Sequence, residues 1–431
     1  MNRTINPTRY ILQNVANGRT FEDQGWSLAD SEYSGAALVR CQYEKKQIEV
    51  KDAEYGLYRF ADWLPVRRML EGSCAPVTYK STGLAAALGL ENLYITFSGY
   101  WPEKGARMRT CSFKETEAYS VCARLPEKMD RVLVIASAGN TARAFSQVCS
   151  ENKIPLLVCI PEDNLDALWF SQPLDPCVKI ICTPSGTDYF DAIQLSNIVC
   201  RSPRFLEEGG AKNVARRDGM GTTVLSATAH IGRIPDAYFQ AVGSGTGTIA
   251  AWEANLRLIE DGRFGNHKMK LFAVQNVPFL PMHDAWKADS RALLPMDENE
   301  FRTLALQIDA KVLSNRKPPY SLAGGLYDAL KDAGGDMETA TNERIAQMRE
   351  LFLQSEGIDI HPAPAAALAG LCDAVKAGKV QRNDVLMLNI TGGGEERLKS
   401  EIQTVQARPD AIFSLDIPAE TIISQVETLF R

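Results

Sequence analysis

The chain has 431 residues, 45% hydrophobic and 23% charged, an ordinary globular balance with room for two packed lobes. Its net charge of -6 leaves no basic footprint for nucleic acid, and no apolar run reaches the length of a membrane span. The first residues lack the apolar segment of a secretory signal and the ten cysteines are scattered without CxxC spacing, which together read as reduced thiols in a cytoplasmic protein.

In chain order, residues 1–50 read as an extension, with turn signals at Asn17-Gly18 and Ser34-Gly35. Beyond it, short apolar runs alternate with helical patterns. Residues 131–136 predict a buried strand, followed by the loop Ser137-Ala138-Gly139-Asn140-Thr141 and a helix from Ala142. Residues 155–160 and 178–183 predict two more strands, with a helix over 188–200. Residues 237–242, 271–275 and 385–390 predict three further strands, each entering a turn-rich loop. Continuous apolar strands separated by helices imply largely parallel sheets covered on both faces, hence an α/β protein of doubly wound lobes.

In such sheets ligands sit beyond the carboxyl ends of the strands. Three Gly-rich loops occupy that place. Gly243-Ser244-Gly245-Thr246-Gly247 follows a strand and opens a helix, so its amides and the helix start form a phosphate cradle. A Walker loop is ruled out because no Lys follows the last Gly, and the dinucleotide GxGxxG fails at Thr248. A cofactor phosphate fits better, and a plain strand-to-helix turn is the alternative. The loop 137–141 can bind a carboxylate at a helix start or act as an ordinary cap. The third loop, Thr391-Gly392-Gly393-Gly394, places a hydroxyl at a strand end. Lys114 has apolar neighbours in Ser112-Phe113-Lys114; taken singly, a solvated surface lysine is its ordinary reading.

Order along the chain adds meaning. Pro76-Val77-Thr78-Tyr79-Lys80, Leu84-Ala85, Leu88-Gly89-Leu90, Asn92-Leu93-Tyr94 and Ser112-Phe113-Lys114 come first, then the 137–141 loop and the 243–247 loop. Glu356-Gly357-Ile358, Pro362, Ala365-Ala366-Ala367-Leu368 and Thr391-Gly392-Gly393-Gly394 follow. This succession resembles the fold-type II pyridoxal-phosphate enzymes of the tryptophan synthase β-like superfamily. Within it, Phe97 to Gly105, Thr110 to Glu115, Glu208 to Arg217, Tyr238 to Gly247, and Pro318-Pro319-Tyr320-Ser321 with Gly324 to Asp328 resemble the cysteate synthase family, relatives of the threonine synthases.

The resemblance implies two lobes of that architecture: an extension over 1–50, a larger cofactor-binding domain over 51–107 and 223–431, and a smaller domain over 108–222. It implies pyridoxal 5'-phosphate held covalently by Lys114, which also serves as the base at Cα. Asn140 would meet the ring hydroxyl, Gly243, Ser244, Gly245, Thr246 and Gly247 the phosphate, and Thr391 the ring nitrogen, where a neutral hydroxyl favours elimination at Cβ. Ser137, Ala138, Gly139 and Thr141 would bind the substrate. The implied reaction converts O-phospho-L-serine and sulfite to L-cysteate and phosphate, in coenzyme M biosynthesis. Arg216 and Asn213 are the expected anion contacts; Lys104, Arg107 and Arg109 read equally as solvated charges. Action on O-phosphohomoserine as a threonine synthase, another β-replacing lyase, and a non-catalytic metabolite binder are the alternatives.

The sequence departs from the family in two places. Residues 13–18 lack the paired cysteines of a zinc ribbon, and the four histidines, His230, His267, His283 and His361, stand far apart, so no metal is expected. Glu115 stands where an Asp follows the lysine. The expected partners are a small anionic amino acid and sulfite, with no nucleic acid and no membrane, and a homo-oligomer is the expected assembly.

Overall fold

The computed structural model describes residues 4–137 and 139–431. The extension folds into a small antiparallel sheet of β1 (Tyr10–Asn14), β2 (Thr20–Phe21) and β3 (Val39–Tyr43), turning at Asn17-Gly18 as expected. After β4 (Val77–Lys80) and β5 (Asn92–Phe97) the chain enters α1 (Lys114–Arg124). Four strands and three helices follow. They run through β6 (Val132–Ala136), α2 (Asn140–Glu151), β7 (Leu156–Pro161), β8 (Val178–Thr183), α3 (Tyr189–Val199), β9 (Phe205–Glu207) and α4 (Val214–Ile231). The second half contributes β10 (Ala237–Ala241), α5 (Thr246–Asp261), β11 (Lys270–Asn276), β12 (Asp336–Ala340), α6 (Pro362–Lys376) and β13 (Val385–Ile390). It closes with β14 (Ala411–Ile412) and α7 (Ala419–Thr428).

Two sheets result. The smaller lobe orders β9-β6-β7-β8-β14, all parallel. The larger orders β12-β11-β10-β13-β5-β4, parallel except for the β4–β5 pair. Alternation explains how both faces are covered. On β6, Leu133 and Ile135 pack with Phe145 of α2, while Val132 and Val134 pack with Leu195 of α3 and Ile422 of α7. On β10, Phe239 faces the alanines of α6, whereas Tyr238 faces Ile249 of α5. This is the expected doubly wound α/β architecture, with strands that the apolar pattern did not single out: β4, β5, β9, β12 and β14.

The expected domain limits need correction at the C-terminus. β14 pairs with β8, and Phe413, Ile422 and Val426 are buried against the smaller sheet, so the last segment belongs to the smaller lobe. The expected limit at 222/223 also falls inside α4, which lies between the lobes and packs on both α1 and α5.

The extension is built into this frame by buried charge. Tyr43 Oη donates to Asp218 Oδ2 at 2.6 Å, and Arg124 of α1 donates to Asp23 Oδ2 at 2.8 Å. Arg217 is fully buried; its Nε donates to Glu253 Oε2 at 2.9 Å, and its other nitrogens reach the carbonyls of Ala211 and Val39. Removing one member of such a set leaves its partners desolvated. Arg217→Met should therefore destabilise the fold by about 3–5 kcal/mol. Chemical denaturation checks this, and a loss below about 1 kcal/mol would show that the pairing contributes little.

Candidate active site

The cleft between the lobes opens at the carboxyl ends of β10 and β13. Phe113, Lys114, Asn140, Gln240, Gly243 to Gly247, His361 and Thr391 are among its walls.

The phosphate loop is shaped by packing behind it. A Cβ on Gly243 would stand 2.9 Å from Leu313 Cα, and Gly245 has φ +77 with Leu326 close behind. Only glycine serves at either place. Ser244 Oγ and Thr246 Oγ1 lie 2.8 Å apart at the start of α5, a helix of 16 residues, so hydroxyls, amides and the helix terminus converge. That donor set suits a phosphate monoester.

Lys114 opens α1. The turn before it is pinned to the other lobe, with Phe113 N donating to Thr391 O at 3.0 Å and Ser112 bridged to Gly392. The lysine is mostly buried, not the solvated side chain of the ordinary reading. Its Nζ lies 3.1 Å from Glu117 Oε2, one helical turn on. Thr391 lies at the end of β13 on the same cleft wall.

On the opposite side Ser137 Oγ accepts from the amides of Gly139 and Ala142, each at 3.1 Å, so it organises its own loop. Ala138 lies outside the described residues. Asn140 lines the cleft, and its Oδ1 accepts from Arg143 Nη2 at 2.9 Å. Arg143 is buried, donates twice to Thr110 O and once to Ala167 O, and stacks 4.2 Å over Trp169. With the carbonyl of Asn140 so engaged, its amide NH2 is left to face the cleft. Thr141 turns away and donates to Glu117 Oε1 at 2.9 Å.

The expected anion contacts are placed differently. Asn213 is buried as the cap of α4. Its Oδ1 accepts from Ala215 N and Arg124 Nη1, and its Nδ2 donates to Glu208 O. Asn caps are locally legible, and this one is spent on the helix and not on a ligand. Arg216 stands behind Lys114 with three of its donors engaged: Nε and Nη2 on Glu208, Nη1 on Glu117. Burial opposes the charge, but the two carboxylates push its pKa further up. A ligand anion there would face two carboxylates at contact distance. Lys104 stacks on Tyr79 and Arg109 pairs with Glu151, while Arg107 is exposed; none of the three lines the cleft.

Sequence reasoning missed His361, the cap residue of α6. It lines the cleft, with Nε2 2.9 Å from Glu395 Oε2 but off the line of a hydrogen bond. Burial pulls Glu395 upward, yet His361 and Lys399 hold it down to about 2. His361 lies within the late segment already singled out, directly before Pro362.

The family model described as "Pyridoxal-phosphate dependent enzyme" matches residues 101–392. The chain belongs to this family. As a pyridoxal-phosphate dependent enzyme it is 44% identical over 416 residues to the cysteate synthase of Methanosarcina acetivorans, covering 96% of this chain and 99% of that one. It is 46% identical over 397 residues to the cysteate synthase of Methanocella paludicola, covering 91% and 92%. Maize serine racemase superposes with a TM-score of 0.56 at 14% identity, over 83% of this enzyme and 94% of that chain. Threonine deaminase isoform 2 of Solanum lycopersicum does so at 0.53 and 17% identity, over 76% and 83%. These two likenesses establish the fold, the fold-type II architecture of pyridoxal-phosphate enzymes. Among the described residues no helix is long and apolar enough to cross a membrane, and no group of three His, Cys, Asp or Glu could hold a metal.

Glu115, beside the lysine, is buried and accepts from Thr110 N at 2.6 Å. Burial pushes its carboxyl up to about 7 from an ordinary 4.5, with the Thr110 amide opposing. A carboxyl raised on folding binds more protons folded than unfolded between those values, so stability falls as pH rises through that window. The cost is about 3 kcal/mol once the group is ionised. Glu115→Gln removes it. Denaturation of both proteins from pH 4.5 to 8 should show the wild type losing stability relative to the variant by that amount, and parallel curves would refute the assignment.

Proposed function

We propose that this enzyme is a cysteate synthase, replacing the phosphate of O-phospho-L-serine by sulfite to give L-cysteate. The observation that carries the reading is the 44% identity to a cysteate synthase across 96% of the chain. The cleft supports it by offering separate places for a cofactor phosphate, a ring and a small amino acid. Bound pyridoxal phosphate supplies the electron withdrawal that makes Cα acidic and Cβ substitutable.

The chain's own residues do the rest. The amides of Gly243, Gly245 and Gly247 with Ser244 and Thr246 hold the cofactor phosphate. Asn140 donates its amide to the ring oxygen, fixed in that sense by Arg143. Thr391 presents a neutral hydroxyl to the ring nitrogen. Lys114 would hold the cofactor through its amine, and that amine, when free, would take the proton from Cα. The start of α2 offers the backbone amides of Asn140 and Thr141 to the substrate carboxylate, while Ser137 shapes the loop and the Thr141 hydroxyl stays on Glu117. In the net reaction the Cβ–O bond breaks with its electron pair leaving on phosphate, and a sulfite lone pair forms the Cβ–S bond.

Phosphate and sulfite both need positive charge nearby. Of the cleft-lining residues, Lys114 and His361 can carry it. His361 therefore replaces Arg216 and Asn213 as the proposed anion contact.

Purified enzyme given phosphoserine and sulfite should release cysteate and inorganic phosphate in equal amounts by mass spectrometry and phosphate assay, and Lys114→Ala should release neither. Threonine from phosphohomoserine, with no cysteate, would replace the reading by a threonine synthase. His361→Asn should raise the KM for sulfite on the order of 10-fold, the worth of one charge-assisted hydrogen bond. An unchanged KM would move the anion contact elsewhere.

A further inference from the structure

Glu117 has no part in the reaction as derived so far, yet it is the most constrained carboxylate near the cleft. Its side chain is fully buried. Oε2 faces Lys114 Nζ at 3.1 Å, while Oε1 accepts from Thr141 Oγ1 at 2.9 Å and Arg216 Nη1 at 2.9 Å. Arg216 is in turn forked onto Glu208. A buried carboxylate is costly unless its charge is answered.

The charges decide the purpose. Glu117, Glu208 and Arg216 sum to one negative charge, and a protonated Lys114 amine brings the set to zero. The set is therefore neutral when Nζ is free and carries its proton, and one charge short when Nζ is deprotonated. Those are the two ends of the proton transfer that Lys114 performs. Lys114 and Glu117 lie on one face of α1, so swinging Nζ between the cleft and the carboxylate needs side-chain rotation alone.

We infer that Glu117 is a positioning residue, the buried carboxylate that receives the amine of Lys114 when substrate displaces it and holds it, proton included, for return to the substrate. This rests on the reading of Lys114 as cofactor-bearing base. In the step concerned the Cα–H bond breaks and its proton goes to Nζ; the Cα–H electron pair becomes a Cα–Cβ double bond as the Cβ–O pair leaves with phosphate, and sulfite then adds to Cβ. After the Cβ–S bond forms, the same proton goes back to Cα. Arg216, itself forked onto Glu208, holds Glu117 in place, which accounts for an arginine with a filled fork directly behind the lysine.

Two variants test this. Glu117→Gln keeps the shape and removes the charge; Glu117→Asp keeps the charge opposite Arg216 but withdraws it from Nζ. In cofactor-free protein at neutral pH, acetylation of Lys114 read by mass spectrometry should quicken about tenfold in each, the factor one charge-assisted hydrogen bond is worth. In the loaded enzyme cofactor content should be unchanged. Exchange of the substrate Cα hydrogen in deuterated water should slow on the order of 10²-fold, with kcat falling in step and the KM for phosphoserine held within about twofold. Either variant, folded and loaded, with wild-type labelling and wild-type Cα exchange would overturn the inference. Failure of the underlying readings shows separately in the wild type. No borohydride-trapped cofactor on Lys114 would remove the base assignment. Cα exchange without cysteate would remove the proposed reaction and leave Glu117 standing.

Discussion

The two lobes meet at the backbone just before the lysine. Phe113 donates to the carbonyl of Thr391 and Ser112 bridges to Gly392, so the first turn of a smaller-lobe helix is pinned to the end of a larger-lobe strand. Lys114, the phosphate loop and Thr391 share one cleft because of it. The glycine at 392 permits the approach, since a Cβ there would stand 2.8 Å from the carbonyl of Cys111. In a parallel sheet the loops leading from strand to helix all lie at the carboxyl ends of the strands, so two such sheets meeting across a cleft line it with main-chain donors from both.

Charge is layered behind that junction. The cleft wall carries few ionisable groups, while the layer beneath is dense: Glu117, Arg216 and Glu208 under the lysine, Arg143 under Asn140, Glu395 beside His361. A further buried set, Arg217 with Glu253 and Tyr43 with Asp218, ties the N-terminal sheet to α4 and α5. Such pairs contribute little net stability against apolar replacements, but they fix orientation, because each member has one geometry in which nothing is left desolvated. In the cleft this rigidity turns generic side chains into directed ones. Asn140 presents its amide because Arg143 has taken its carbonyl.

Long-range pairing is what eluded sequence reading. Arg216 lies within a recognisable segment and has the chemistry of an anion receptor, but its partner Glu117 is 99 residues away. Its other partner, Glu208, precedes the helix that carries Arg216. Glu117 and Arg143 were legible in part, each standing three residues after a recognised residue on the same helix face, Lys114 and Asn140. The C-terminal segment was assigned to the wrong lobe because a two-residue strand carries no periodic signal; Ala411–Ile412 joins the smaller sheet through the burial of Phe413, Ile422 and Val426.

By itself the sequence determined what depends on short stretches of chain. It determined the run of apolar strands and hence the doubly wound class, the glycine loop at a helix start, and the order of motifs that carries the family and its cofactor. These are local because strand burial, turn conformation and helix capping are decided within a few residues. The tertiary structure alone decided which charges are free to meet a ligand. Whether a guanidinium is an anion receptor or a counter-ion depends on what else is desolvated with it. For Arg216 that is a carboxylate from α1, brought within 2.9 Å by the packing of two helices against one another.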